Sequence, residues 1–161
     1  MPESKSSPYK VAKALHWVAA VLIAFSLLAG WRLATFEPDT RRVLLMVHSG
    51  VGVTILALML VRWWWRRKNN LYAPPNWWRR PTLLLRWVFY PLLILQPVLG
   101  LLVAIFNDYD VYVFGVFNVS ALADSNEALR SLFHQAHTAL AFLLIALVFT
   151  HSIERLRKLY V

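Results

Sequence analysis

The chain has 161 residues, 59% of them apolar or aromatic and only 16% charged. A soluble domain of this length carries about a quarter charged residues, so the composition excludes one, and residues 1–161 are expected to form one domain. The formal charge is +9 and cysteine is absent, which rules out disulfide scaffolds, cysteine-ligated iron–sulfur clusters and thioether-attached haem, all of which need thiols.

The charges mark out four apolar blocks. Lys13 to Arg32 enclose 18 uncharged residues, Arg42 to Arg62 enclose 19, Arg86 to Asp108 enclose 21, and Arg130 to Glu154 enclose 23. Each is close to the ~20 residues that carry a helix across ~30 Å of hydrocarbon. Lipid offers no partner to a free backbone group, so a span is a helix or part of a closed barrel, and four long blocks without alternation cannot make a barrel. An all-α, integral membrane four-helix bundle is therefore expected, with helices over about 12–34, 42–66, 82–106 and 130–156.

Taken in chain order, the first block is too long for the apolar stretch of a cleaved leader and lacks a small-residue cleavage site. The second ends on Arg62 and runs into Trp63, Trp64 and Trp65, which together with Trp77 and Trp78 suit the headgroup level of one membrane face. Pro74, Pro75 and Pro81 break the loop that follows. After the third block, the segment from Asn107 to Arg130 is strongly aromatic between Tyr109 and Phe117, too apolar for a free loop, and is expected to fold back over the bundle. The fourth block leads to a basic tail, Arg155, Arg157 and Lys158.

Thirteen of the 17 basic residues fall in the N-terminal tail (Lys5, Lys10, Lys13), the second connection (Arg62, Arg66, Arg67, Lys68, Arg79, Arg80, Arg86) and the C-terminal tail. Arg32, Arg41, Arg42 and Arg130 lie on the other side with six of the eight acids. The positive-inside rule puts both termini in the cytoplasm. The basic surface then faces anionic lipid, and no nucleic-acid partner is expected.

All five histidines, His16, His48, His134, His137 and His151, lie inside the uncharged blocks. Ionisable residues within a membrane are rare and face the bundle interior, so function is their default reading; a single one could equally be an interhelical hydrogen-bonding group. Depth separates these readings. The first helix enters from the cytoplasm and the fourth returns to it, so His16 and His151 share the inner level. The second enters from outside and the fourth begins there, so His48 and His137 share the outer level. His137 and His151 are 14 residues apart, about 21 Å of rise and about 40° short of four turns, so both lie on one face.

Two imidazoles at one depth on different helices can clamp an iron porphyrin. Room is needed beside them, and Gly50 and Gly52 follow His48, with Gly52 on its face at i+4. Zinc competes poorly, since it wants four tetrahedral ligands and each layer offers two histidines without an acid or thiol. A proton relay would string its histidines along a path rather than pair them in layers.

These residues give the chain a familiar outline. It resembles the bacterial cytochrome b561 family over nearly its whole length. The resemblance is carried by Leu15-His16-Trp17, Arg41 seven residues before His48, His48-x-x-x-Gly52, Arg62 closing the second helix, Pro74-Pro75, Pro97-x-x-Gly100, Phe114-Gly115, and His137 with His151. It implies two b haems, with His16 paired to His151 and His48 to His137 as axial ligands of iron. Family members often carry further histidines about two turns past the last ligand, where this chain has Arg157 and Lys158. His134 maps onto no family ligand; a quinone hydrogen bond or an interfacial position suits it better than iron.

The resemblance further implies electron exchange with the quinone pool, with superoxide or a periplasmic redox partner as donor and ubiquinone as the exchangeable substrate. Arg41, Arg42 and Arg130 on the outer side would attract haem propionates or a small anion, and propionates or lipid phosphates alone would account for them equally well. The aromatic loop could wall a quinone pocket beside His134 and Gln135. A different class, a haem-bearing membrane anchor relaying electrons between quinone and a partner dehydrogenase, fits the same four helices.

Overall fold

The computed structural model describes residues 6–69, 71, 79 and 81–157. Lys5, Pro74, Pro75, Trp77, Trp78, Arg80 and Lys158 therefore lie outside the described residues. Four helices dominate: α1 (Ser6–Arg32), α2 (Pro38–Lys68), α3 (Pro81–Ile105) and α4 (Glu127–Arg157). All four are long and apolar enough to cross a membrane, as the spacing of charges requires.

Their ends run past the uncharged blocks, most of all in α1, which starts at Ser6 instead of about residue 12. Charges mark the edge of hydrocarbon, whereas a helix ends where its backbone groups find other partners. Thus α2 begins with Pro38 at its first position and Asp39 in its first turn, and ends on Arg66, Arg67 and Lys68. Those charges match the helix dipole at either end. At the start of α4, Asn126 Oδ1 accepts the Leu129 amide at 3.1 Å, an N-cap.

The helices pack in sequence order, α1 on α2, α2 on α3 and α3 on α4. One core cluster draws on all four: Ala19, Ile55, Met59, Tyr90, Leu93, Leu140 and Leu144. Large apolar side chains such as Leu28, Phe142 and Phe149 point outward, the inside-out pattern of a surface solvated by lipid. At the other extreme of polarity, Arg67 lies 5.0 Å over the Trp63 ring and Lys68 5.0 Å over Trp64, the cation and indole pairing of an interfacial belt.

The segment after α3 does fold back, by means that differ from the expectation. It forms a two-stranded antiparallel hairpin, β1 (Tyr112–Val113) and β2 (Phe117–Asn118), paired Tyr112 to Asn118 and Val113 to Phe117. Val111 and Val113 are buried while Tyr109, Tyr112, Phe114 and Phe117 stay largely exposed. Residues two apart on an extended chain share a face, so the valines dock and the intervening Tyr112 does not. Ser49 Oγ shares its one proton between the Met46 carbonyl of its own helix at 3.0 Å and the Tyr112 carbonyl at 3.3 Å, a weak tie from α2 to β1. At the hairpin tip Phe114 and Gly115 have φ of 54° and 70°, the left-handed pair of a type I′ turn, which glycine allows and phenylalanine adopts only at a cost. The Phe114 ring fills the notch at Gly50, where a Cβ would come within 2.9 Å of it.

Candidate functional site

Among the described residues α4 approaches α3 most closely, and two histidine pairs reach across the bundle to it from α1 and α2. His16 on α1 and His151 on α4 have ring centroids 6.4 Å apart with planes at 82°. His48 on α2 and His137 on α4 stand 6.3 Å apart at 79°. An edge-to-face aromatic pair falls anywhere within about 4.5–7 Å. Two imidazoles bound to opposite sides of one metal must instead be about 6.2 Å apart, from two ~2 Å metal–nitrogen bonds and the ~1.1 Å from each nitrogen to its ring centre. Both pairs meet the narrower condition.

Other features at the outer pair fit a flat group held there. A cavity of about 550 Å³ opens beside His48 and His137, within the size range of cofactor sites. His48 Nδ1 is buried without a hydrogen-bond partner, a cost that a folded chain rarely leaves unexplained. His137 Nδ1 is 3.0 Å from the Gln96 carbonyl. A carbonyl only accepts, so Nδ1 carries the proton and Nε2 the lone pair a metal needs. Gln96 Nε2 stands 3.3 Å from that Nε2, while Gln96 Oε1 is buried without a partner. That side chain would have to turn away for a ligand to bind.

Glycines shape both ring positions. A Cβ at Gly30 would lie 3.1 Å from His48 Cε1, and one at Gly100 would lie 3.0 Å from His137 Cε1. Neither ring could keep its place beside an alanine there. Gly30 and Gln96 went unnoticed in the sequence, although Gly30 had a signal. It follows His16 by 14 residues, the interval that places His137 and His151 on one face.

Of the other residues singled out in the sequence, Gly52, Arg41, Arg130 and His134 line the cavity, and Arg42 and Gln135 do not. Arg41 Nη2 donates to the Phe36 carbonyl at 3.0 Å. Arg130 holds Glu127 through two bonds of 2.6 Å, so part of its charge is already matched. Arg42 is exposed, and Gln135 donates to Ser131 Oγ at 3.3 Å. From the aromatic segment, Tyr109 reaches the cavity and Phe114 and Phe117 do not. Among the described residues, no group of three or more histidine or acidic side chains could hold a metal; the donor set comes in twos, as a porphyrin iron with four ring nitrogens of its own requires.

The family model for prokaryotic cytochrome b561 matches residues 9–154 of the chain. No curated protein matches it.

Proposed function

Because the chain belongs to the prokaryotic cytochrome b561 family, we propose that this multi-pass membrane protein holds two b haems and moves electrons between the outer face of a bacterial inner membrane and ubiquinone. On this reading His16 with His151 and His48 with His137 would hold the two haem irons. The observation that carries it is the matched separation of the two ring pairs, 6.4 and 6.3 Å. When bound, each haem supplies a one-electron carrier.

The chain's own residues hold and insulate. The Gln96 carbonyl orients the His137 ring, Gly30 and Gly100 give both outer rings their place, and Gly52 leaves open the face of α2 beside them. With both termini in the cytoplasm, the cavity opens to the periplasmic side. Arg41 at its wall, helped by Arg42 nearby in sequence, draws anions toward it. Superoxide is the donor that this surface suits. Two superoxide anions yield two molecules of oxygen and two electrons, and one ubiquinone takes those electrons with two protons to become ubiquinol.

Stopped-flow mixing of the oxidised protein with superoxide, and separately with ubiquinol, tests the reading. Haem reduction by superoxide that slows as salt rises is the expected result, since the Debye length falls from ~10 Å at 0.1 M to ~3 Å at 1 M. Rapid reduction by quinol with none by superoxide would replace it with a quinol-linked relay.

A further inference from the structure

The 14-residue interval recurs on α2, where it leads from His48 to Arg62. Arg62 is thereby brought to the inner level on the face that carries His48. At the edge of hydrocarbon an arginine can snorkel to the headgroups, so one whose donor is buried by the fold calls for a partner. Its Nε is buried and has no hydrogen-bond partner, and Tyr90 Oη on α3 is in the same condition. The two residues adjoin, with Arg62 Cζ 5.5 Å from the centre of the Tyr90 ring.

The next turn shows what a satisfied arginine looks like here. Arg66 lies 5.9 Å over Trp87, which packs against Tyr90 at 5.8 Å, and Arg66 donates from Nε and Nη2 to the Leu71 carbonyl at 3.1 and 2.8 Å. Nothing comparable serves Arg62 Nε. Among the described residues the one ion pair, Arg130 with Glu127, is at the opposite end of the bundle. A guanidinium N–H and a phenol O–H left over together are donors for an oxyanion, and the described residues do not supply one.

We propose that Arg62 and Tyr90 form an oxyanion site at the inner level that takes a propionate carboxylate of the haem held by His16 and His151; this rests on the two-haem reading. Tyr90 is turned toward the bundle interior. Tyr90 is 8% exposed and belongs to the core cluster with Ala19 and Leu144. Its neighbour Phe89 packs edge-on against His151 at 5.7 Å. A phospholipid phosphate has the same chemistry, and an apolar groove lined by Leu60, Trp63, Trp87, Tyr90, Pro91 and Ile94 runs beside the same tyrosine, so the test must separate the two sources.

Redox titration of the purified protein does so, with the inner wave identified by its loss in His16→Ala. Removing the cation leaves the carboxylate uncompensated and favours oxidised iron. Arg62→Gln is expected to lower the reduced-to-oxidised ratio of the inner haem about tenfold at a fixed ambient potential, ~59 mV for a one-electron couple, with the outer wave unmoved. Arg62→Lys keeps most of the wild-type potential. Tyr90→Phe, which removes only the hydroxyl, shifts it less and in the same direction, and serves should Arg62→Gln not fold. Arg62→Gln also speeds loss of the native inner haem to a haem scavenger severalfold, and does not speed loss of haem dimethyl ester, which has no carboxylate to bind.

An unmoved inner wave in Arg62→Gln or Tyr90→Phe with both haems bound overturns the proposal alone. An ester haem lost faster in Arg62→Gln by the same factor as native haem does the same, as does a phospholipid seen by native mass spectrometry on wild type and lost in Arg62→Gln at unchanged potential. Fewer than two haems in the wild type would bring down the two-haem reading and this proposal with it.

Discussion

The outer and inner histidine pairs have nearly the same ring separation and quite different surroundings. Around His48 and His137 the helices stand apart, glycines give way to the rings, and a cavity with Arg41 and Arg130 on its wall reaches the hairpin that caps the bundle. His16 and His151 do not line that cavity; aromatic rings pack on them, Trp17 on His16 and Phe89 on His151. Equal ligand geometry in unequal environments is how a protein sets two potentials and two degrees of access with one kind of cofactor. On the proposed function, the outer end serves exchange with something small and charged, and the inner end retention.

The largest break in that comparison comes from the ligands. His48→Ala is expected to remove the outer haem and keep the inner, and His16→Ala to do the reverse, each leaving one of two by pyridine haemochrome assay. Since α4 contributes to both levels, His137→Ala and His151→Ala should likewise lose one each. If His134→Ala lost the outer haem and His137→Ala did not, the outer assignment would be wrong. Next in size is Gly100→Ala. Its Cβ would press on His137 from 3.0 Å, so occupancy of the outer haem should fall severalfold while the inner absorbance band holds.

Charge at the cavity gives a graded, milder effect. Arg41→Glu is expected to slow reduction by superoxide about tenfold at low salt, within the range of electrostatic steering. Arg42→Glu, off the cavity wall, should slow it less, and neither should change reduction by a neutral quinol much. Equal effects at both arginines would mean that the whole outer field matters and the cavity wall does not. The smallest change is Ser49→Ala, which removes the tether to Tyr112. A net loss of about 0.5–1 kcal/mol is expected, read as a slightly lower thermal midpoint, with faster outer-haem reduction as the hairpin loosens and no change at the inner haem.

Much of this was legible before any coordinates. Four spans follow from charge spacing because hydrocarbon sets a minimum length, and histidine depth follows from the rise of a helix. The pairs of equal depth are the ones whose rings stand together. The interval of 14 residues also runs from His16 to Gly30 and from His48 to Arg62, a pattern open to reading, though without a partner across the bundle neither residue has a meaning. The aromatic run announced a loop that docks, but misdirected attention to its aromatic rings, because alternation along an extended strand was hidden in a stretch apolar on both faces.

Length, span number and the level of each histidine were thus decided by the sequence itself, since they depend on hydrophobic thickness and helical rise, which act along one chain segment at a time. Which helices touch, that Gly30 and Gly100 clear the histidine rings, that Arg42 misses the cavity, and that Arg62 and Tyr90 share an unmet need for an anion were decided only by tertiary structure. Each of these is a relation between side chains far apart in the chain, fixed by packing across the bundle and by no periodicity within a helix.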